Sequence, residues 1–170
     1  TAPPGTYTLD MTVDGVHYVQ NLKLKANPTG KATDADLIEQ FDLARRIVAR
    51  ENDANDTVVK IRDIRKKLTE AVKSKPELQA DSKALDDKMT PIEEAIYQTK
   101  STSGEDPLNF PVRLNDKISG VLGVVLSGDF KPTKQSYEVF DSLSRQLQIQ
   151  LDAFQSFLQR DLATFNGKLK

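Results

Sequence analysis

Between Leu37 and Val72 the apolar residues return every three or four positions: Leu37, Phe41, Ala44, Val48, Ala54, Val58, Ile61, Leu68 and Val72. Only an α-helix gathers such a series onto one face. The series runs to about Ser74, so the helix it predicts is ~60 Å long at 1.5 Å per residue. A rod of that length dictates the shape of everything packed on it. Its start is marked by Thr33 and Asp36, a capping box with Asp in place of Glu. Asp34 and Asp36 also place negative charge where the helix dipole favours it. The run Glu51-Asn52-Asp53-Ala54-Asn55-Asp56 weakens the stripe midway and reads as a polar layer or a local irregularity.

The rest of the chain carries more helices. Pro76 ends the first. Leu78, Leu85, Met89, Ile92 and Ile96 then continue at heptad-like spacing. Pro91 falls inside that series without shifting its phase, so it predicts a kink rather than a separate element. Lys100 to Pro111 is rich in Ser, Thr, Gly, Asp and Pro and reads as a loop, with Leu108 and Phe110 expected to tuck inward. A shorter helix follows over about Val112–Leu126, with Leu114, Ile118, Val121, Leu122 and Val125 on one face. The last starts after Pro132-Thr133 and carries Tyr137, Phe140, Leu143, Leu147, Leu151, Phe154, Leu158, Leu162 and Phe165, with Gly167 as a terminator. Phe157 lies slightly off this stripe and is free to contact the hairpin described next or something outside the chain. Short connections predict antiparallel neighbours.

The first residues obey a different period. Tyr7, Leu9, Met11 and Val13 alternate with Thr6, Thr8, Asp10 and Thr12, the pattern of a half-buried strand. Asp14-Gly15 follows, a pair that tolerates the positive φ angles of a tight hairpin turn. The return strand sets Val16, Tyr18, Leu22 and Leu24 on one face, interrupted by Gln20, with Val19 on the other. A lone hairpin is marginal in water. It must lean on the helices or complete a sheet outside this chain, and its apolar face suits the second.

The composition removes much chemistry. Among 170 residues there is no cysteine and a single histidine, His17. Disulfides, thiolate metal sites and cysteine nucleophiles are excluded, and His17 on a hairpin has no cluster around it. The acidic groups Asp86-Asp87, Glu93-Glu94 and Asp34/Asp36 read as solvated helix faces or first-turn acids; no EF-hand loop is present. Ser119-Gly120-Val121-Leu122-Gly123 lacks the spacing of a phosphate loop, and its glycines read as points of close helix approach. A net charge of −1 gives no global attraction to nucleic acid. No run reaches the roughly 18 apolar residues of a membrane span.

The densest charged feature is the basic end of the first helix. Lys60, Arg62, Arg65, Lys66 and Lys67, followed by Lys73 and Lys75, make a candidate partner-binding surface. No aromatic residues interleave with them, and cations also suit a helix C-terminus. A solvated face is therefore the simpler reading, and a protein partner the next.

The hairpin and the first helix also carry a resemblance. Pro4-Gly5-Thr6-Tyr7-Thr8-Leu9, Thr12-Val13-Asp14-Gly15, Tyr18-Val19-Gln20-Asn21-Leu22-Lys23-Leu24 and Asn27-Pro28, then Asp36-Leu37-Ile38-Glu39-Gln40-Phe41-Asp42-Leu43-Ala44-Arg45-Arg46, resemble the C-terminal region of large bacterial sortilin-like or BNR-repeat β-propeller proteins of the glycosyl hydrolase or sialidase type. Ile61-Arg62-Asp63-Ile64-Arg65 and Pro132-Thr133 fit as well. Asn27-Pro28-Thr29 stands where that family has Asp-Pro-Arg, so a salt bridge at that corner is not implied. The resemblance covers most of the chain, its motifs are structural, and it brings no catalytic residue. It implies an exported protein, secreted, periplasmic or at the cell surface. The hairpin would then be the last two strands of an immunoglobulin-like sandwich, and any glycosidase activity would belong to a propeller.

The expected fold is mainly α. An elongated antiparallel bundle of three to four helices (29–170) follows a β-hairpin (1–28) that is the end of an Ig-like sandwich. The expected role is a non-catalytic structural or protein-interaction module that binds no cofactor or metal. Its partners would be upstream domains of the same polypeptide or another protein, with no nucleic acid and no membrane insertion. Because the chain opens at Thr1 without a methionine, it is expected to be processed or a piece of a larger protein. One alternative is an accessory domain of a glycoside hydrolase that contacts carbohydrate. Another is a nucleic-acid or acidic-partner contact through Lys60–Lys75.

Overall fold

The computed structural model describes residues 2–169. A two-stranded antiparallel hairpin, β1 (Gly5–Val13) and β2 (Val16–Leu24), precedes a helical bundle of α1 (Asp34–Ser74), α2 (Gln79–Ile96), α3 (Leu114–Val125), α4 (Lys134–Phe157) and a short α5 (Ala163–Leu169). The switch of hydrophobic period from two to 3.6 falls where the chain leaves the hairpin, in the turn around Asn27–Gly30.

α1 spans 41 residues without interruption. Its N-terminus is closed as the sequence suggests. The Thr33 hydroxyl accepts from the Asp36 N–H at 3.2 Å, and the Asp36 carboxylate accepts from the Thr33 N–H at 2.9 Å. The polar run at 51–56 does not break the helix. Ala54 is fully buried there, the Thr57 hydroxyl donates to the Asp53 carbonyl, and Asn55 faces Asn115 at 3.5 Å, so the run is a polar layer.

Cross-helix contacts fix the directions. Arg62 and Arg65 of α1 meet Glu93 of α2, while Gln40 of α1 reaches the end of α3 at Val125. α2 therefore runs antiparallel along the C-terminal half of α1, and α3 antiparallel along its N-terminal half. Consecutive helices were expected to be antiparallel. Instead α2 and α3 point the same way, as two segments of one descending leg. The reason is length: each covers only part of α1, and the loop between them serves as an interruption rather than a reversal. α4 ascends beside α1, with Tyr137 against Glu39, Arg46 near Asp141, and Lys75 against the carbonyls of Lys168 and Leu169. In cross-section the bundle has three legs.

The core is one stripe along this axis. Leu43, Ile47, Ile61, Met89, Ile96, Ile118, Val125 and Leu147 are its most deeply buried large side chains. Each such residue contributes about 1.5–3 kcal/mol by leaving water. The five apolar positions read from the sequence, Leu78 in the turn before α2 and Leu85, Met89, Ile92 and Ile96 within it, are all buried, and the helix passes through Pro91 unbroken. Elsewhere the phase differs. Leu37 and Phe41 are only half-buried and Val48 is exposed, whereas Gln40, Leu43 and Ile47 face inward. Phe157 is also core, stacked on Phe154 with ring centroids 6.1 Å apart. Both corrections share a cause. A helix wedged between two neighbours buries an arc wider than one stripe, and the neighbours choose its centre.

Three further expectations change. Leu108 does not anchor the 97–113 loop, being 83% exposed, and Phe110 is half-buried. Buried Gln98 holds that loop instead, donating to the Pro111 carbonyl and accepting from the Lys100 N–H. Gly120 and Gly123 sit on the outer face of α3, where an added Cβ would meet nothing, so they mark no close approach. Gly167 lies inside α5, which continues to Leu169.

Candidate functional site

Two surfaces compete for a functional role, the basic end of α1 and the hairpin. At the first, the structure separates residues that the sequence groups together. Arg62 and Arg65 turn toward α2. Arg62 Nε donates to Glu93 Oε1 at 2.9 Å, and its guanidinium lies 4.8 Å from the Tyr97 ring centre. Arg65 donates to Asp86 at 2.5 Å, to Thr90 at 3.0 Å and to the second oxygen of Glu93. Burial alone would lower the Arg65 pKa; its hydrogen bonds to Asp86 and Glu93 outweigh that and hold it above the ordinary value. Lys60, Lys66 and Lys67 remain exposed, and none makes a salt bridge among the described residues. The five candidate residues are thus a seam of two arginines and an outer row of three lysines.

The acid that organises the seam is buried. The Glu93 side chain is 4% exposed, against the expectation of a solvated pair with Glu94. Position 93 lies one step beyond the apolar Ile92 and shares its inward arc, which brings the carboxylate onto α1. The nearby Asp87 behaves as expected, exposed and paired with Lys83 at 2.6 Å.

The hairpin is built from its turn. Asp14 and Gly15 both take positive φ, 50° and 80°, and Gly15 needs no side-chain space. That turn pairs Val13 with Val16, and each step outward keeps partners on one face: Met11 with Tyr18, Leu9 with Gln20, Tyr7 with Leu22. The other face carries Thr12 with His17, Asp10 with Val19, Thr8 with Asn21 and Thr6 with Lys23. His17 Nδ1 lies 3.1 Å from Asp10 Oδ1 on that outer face, so it serves cross-strand pairing.

Among the described residues, the apolar face has no cover. Leu9, Met11, Val13, Val16, Tyr18 and Leu22 are between 43% and 57% exposed. Neither strand forms a packing interface with a helix, and the hydrophobic core contains no hairpin residue. Of the alternatives open to the hairpin, leaning on the bundle is not the one taken.

No family model, curated protein or solved structure matches this chain.

Among the described residues, no three His, Cys, Asp or Glu side chains are placed to hold a metal ion. No helix there is long and apolar enough to cross a membrane. The sequence reading missed Glu93 as a buried anchor and Gln40, whose amide donates to the carbonyls of Val125 and Gly128 at 2.7 Å each. Gln40 satisfies the open C-terminus of α3. The available signal was a polar residue in phase with Leu43 and Ile47.

Proposed function

We propose that this chain is a non-catalytic structural or protein-interaction module of an exported bacterial β-propeller protein, with its hairpin as the closing strands of an Ig-like sandwich. The uncovered apolar face of β1 and β2 carries the proposal. Alternation of apolar and polar residues, broken at Gln20 and Val19, is the pattern of a sheet packed on one side. Two strands alone are marginal in water, and a second sheet about 10 Å away is the usual cover. The face is too small to hold a second copy. Two strands of nine residues offer roughly 300 Å² per partner, whereas a stable interface buries at least about 1,000 Å² in total. Cover by strands of the same polypeptide avoids the entropy of association. The resemblance of residues 4–28 to the end of sortilin-like and BNR-repeat proteins supports the same assignment.

Hydrogen exchange on the chain as it stands tests the hairpin half of the proposal. Amides of 5–24 should exchange at near-random-coil rates while those of α1 and α2 stay protected. Hairpin protection equal to that of α1 would mean that the strands need no cover, and would overturn the assignment. Turnover of xyloglucan or a sialoside by this chain alone would overturn the non-catalytic half.

A further inference from the structure

The bundle carries a surface that neither the core nor the hairpin explains. Where α1 and α4 run side by side, an open groove of about 510 Å³ lies between them. Ala49 and the Phe140 ring line it, and Arg46, Arg50 and Arg145 border it. These arginines differ in how fully they are satisfied. Arg50 is fixed by Asp53, the Ser144 carbonyl and Gln148. Arg46 lies 5.2 Å from the Phe140 ring centre and reaches Asp141 only at 3.6 Å, with both side chains more than half exposed. Arg145 is exposed and makes no salt bridge or hydrogen bond among the described residues. Behind the groove wall, Ser144 Oγ is buried out of reach of solvent and has no hydrogen-bond partner among the described residues. Next to Arg46, Arg45 lies over Phe41 and makes no salt bridge among the described residues.

We propose that this groove binds an acidic peptide segment bearing an apolar side chain. Arg46 and Arg145 would fork onto separate carboxylates, which their planar donor sets match. The apolar side chain would lie on exposed Ala49, above the buried Phe140 ring. A nucleic-acid backbone fits less well. Asp42 and Asp141 sit among the arginines, and a continuous phosphate track would meet both, while discrete carboxylates can be placed between them. The site lies on the bundle and stands or falls independently of the hairpin.

The test is an NMR titration of the whole chain with the peptide acetyl-Glu-Glu-Leu-Phe-Glu-Glu-amide, beside a copy with every Glu replaced by Gln and a short oligothymidylate. Binding of the acidic peptide is expected at sub-millimolar concentration, with shifts centred on Arg46, Ala49, Phe140, Ser144 and Arg145. Arg145→Gln should weaken it about tenfold, equivalent to about 1.4 kcal/mol. Because Arg145 has no partner to lose, this variant should unfold at the parent temperature, and Arg46→Gln supplies a second reading at the opposite rim. Absence of binding at millimolar peptide overturns the proposal. So does affinity indifferent to both arginine variants, equal affinity for the Gln peptide, or binding of the oligothymidylate alone.

Discussion

Replacing Arg65 with methionine isolates the seam between α1 and α2. Methionine keeps much of the aliphatic stem and removes the guanidinium. Asp86 loses a partner, but its side chain is 47% exposed and water can replace the bond. Glu93 cannot be rescued in that way. Its side chain is 4% exposed, and only Arg62 would still reach it, through Oε1. Breaking one side of a buried ion pair costs about 3–5 kcal/mol. Arg65 is itself 30% exposed, so water can approach the vacated site and the lower end, about 3 kcal/mol, applies. With a urea slope of about 1–3 kcal/mol per molar, the unfolding midpoint should fall by about 1–3 M. Glu93→Leu should cost less, about 1–2 kcal/mol, because Arg65 keeps Asp86 and Thr90 and Arg62 is half in solvent. Combining the two changes removes the orphaned charge, so the double variant should regain most of the loss. The assay is urea unfolding followed by helical circular dichroism, read as a double-mutant cycle. A coupling of about 2–3 kcal/mol is expected; additivity within about 0.5 kcal/mol would refute a buried, mutually dependent pair.

Other expectations follow from local geometry. Gly120→Ala and Gly123→Ala face open space at ordinary helical φ, so each should stabilise α3 by about 0.5–1 kcal/mol in thermal unfolding. Gln40→Leu strands the carbonyls of Val125 and Gly128 and should cost about 1–3 kcal/mol, with faster amide exchange at the end of α3 as the local signature. Thr33→Ala should weaken the start of α1 by about 1 kcal/mol at neutral pH. Its effect should fade in acid: the Thr33 hydroxyl and N–H hold the Asp36 carboxyl below its usual pKa, so that contribution is complete above about pH 4 and disappears as pH falls through the lowered value. A Thr33→Ala penalty that persists unchanged at pH 2 would contradict this account.

Local rules written into the chain determined which elements form. The Asp14-Gly15 turn, the Thr33–Asp36 box, the spacing of α2 and the Thr133 cap act over a few residues, so sequence alone carries them. The mainly helical fold with an N-terminal hairpin was legible for that reason. Which arc of each helix is buried was not. Leu43 and Ile47 displaced Phe41 and Val48, and Phe157 joined the core, because burial is set by where neighbouring helices sit, information held by residues far along the chain. Candidate sites suffered most. The basic run Lys60–Lys67 looks continuous in sequence, yet successive residues on a helix point about 100° apart, so α2 captured Arg62 and Arg65 and left the lysines outside. The groove of Arg46 and Arg145 has no sequence signature, since its walls lie on α1 and α4, nearly one hundred positions apart. Sequence thus determined the helices and the hairpin, and tertiary packing alone decided which charges are spent inside the fold and which remain free to meet a partner.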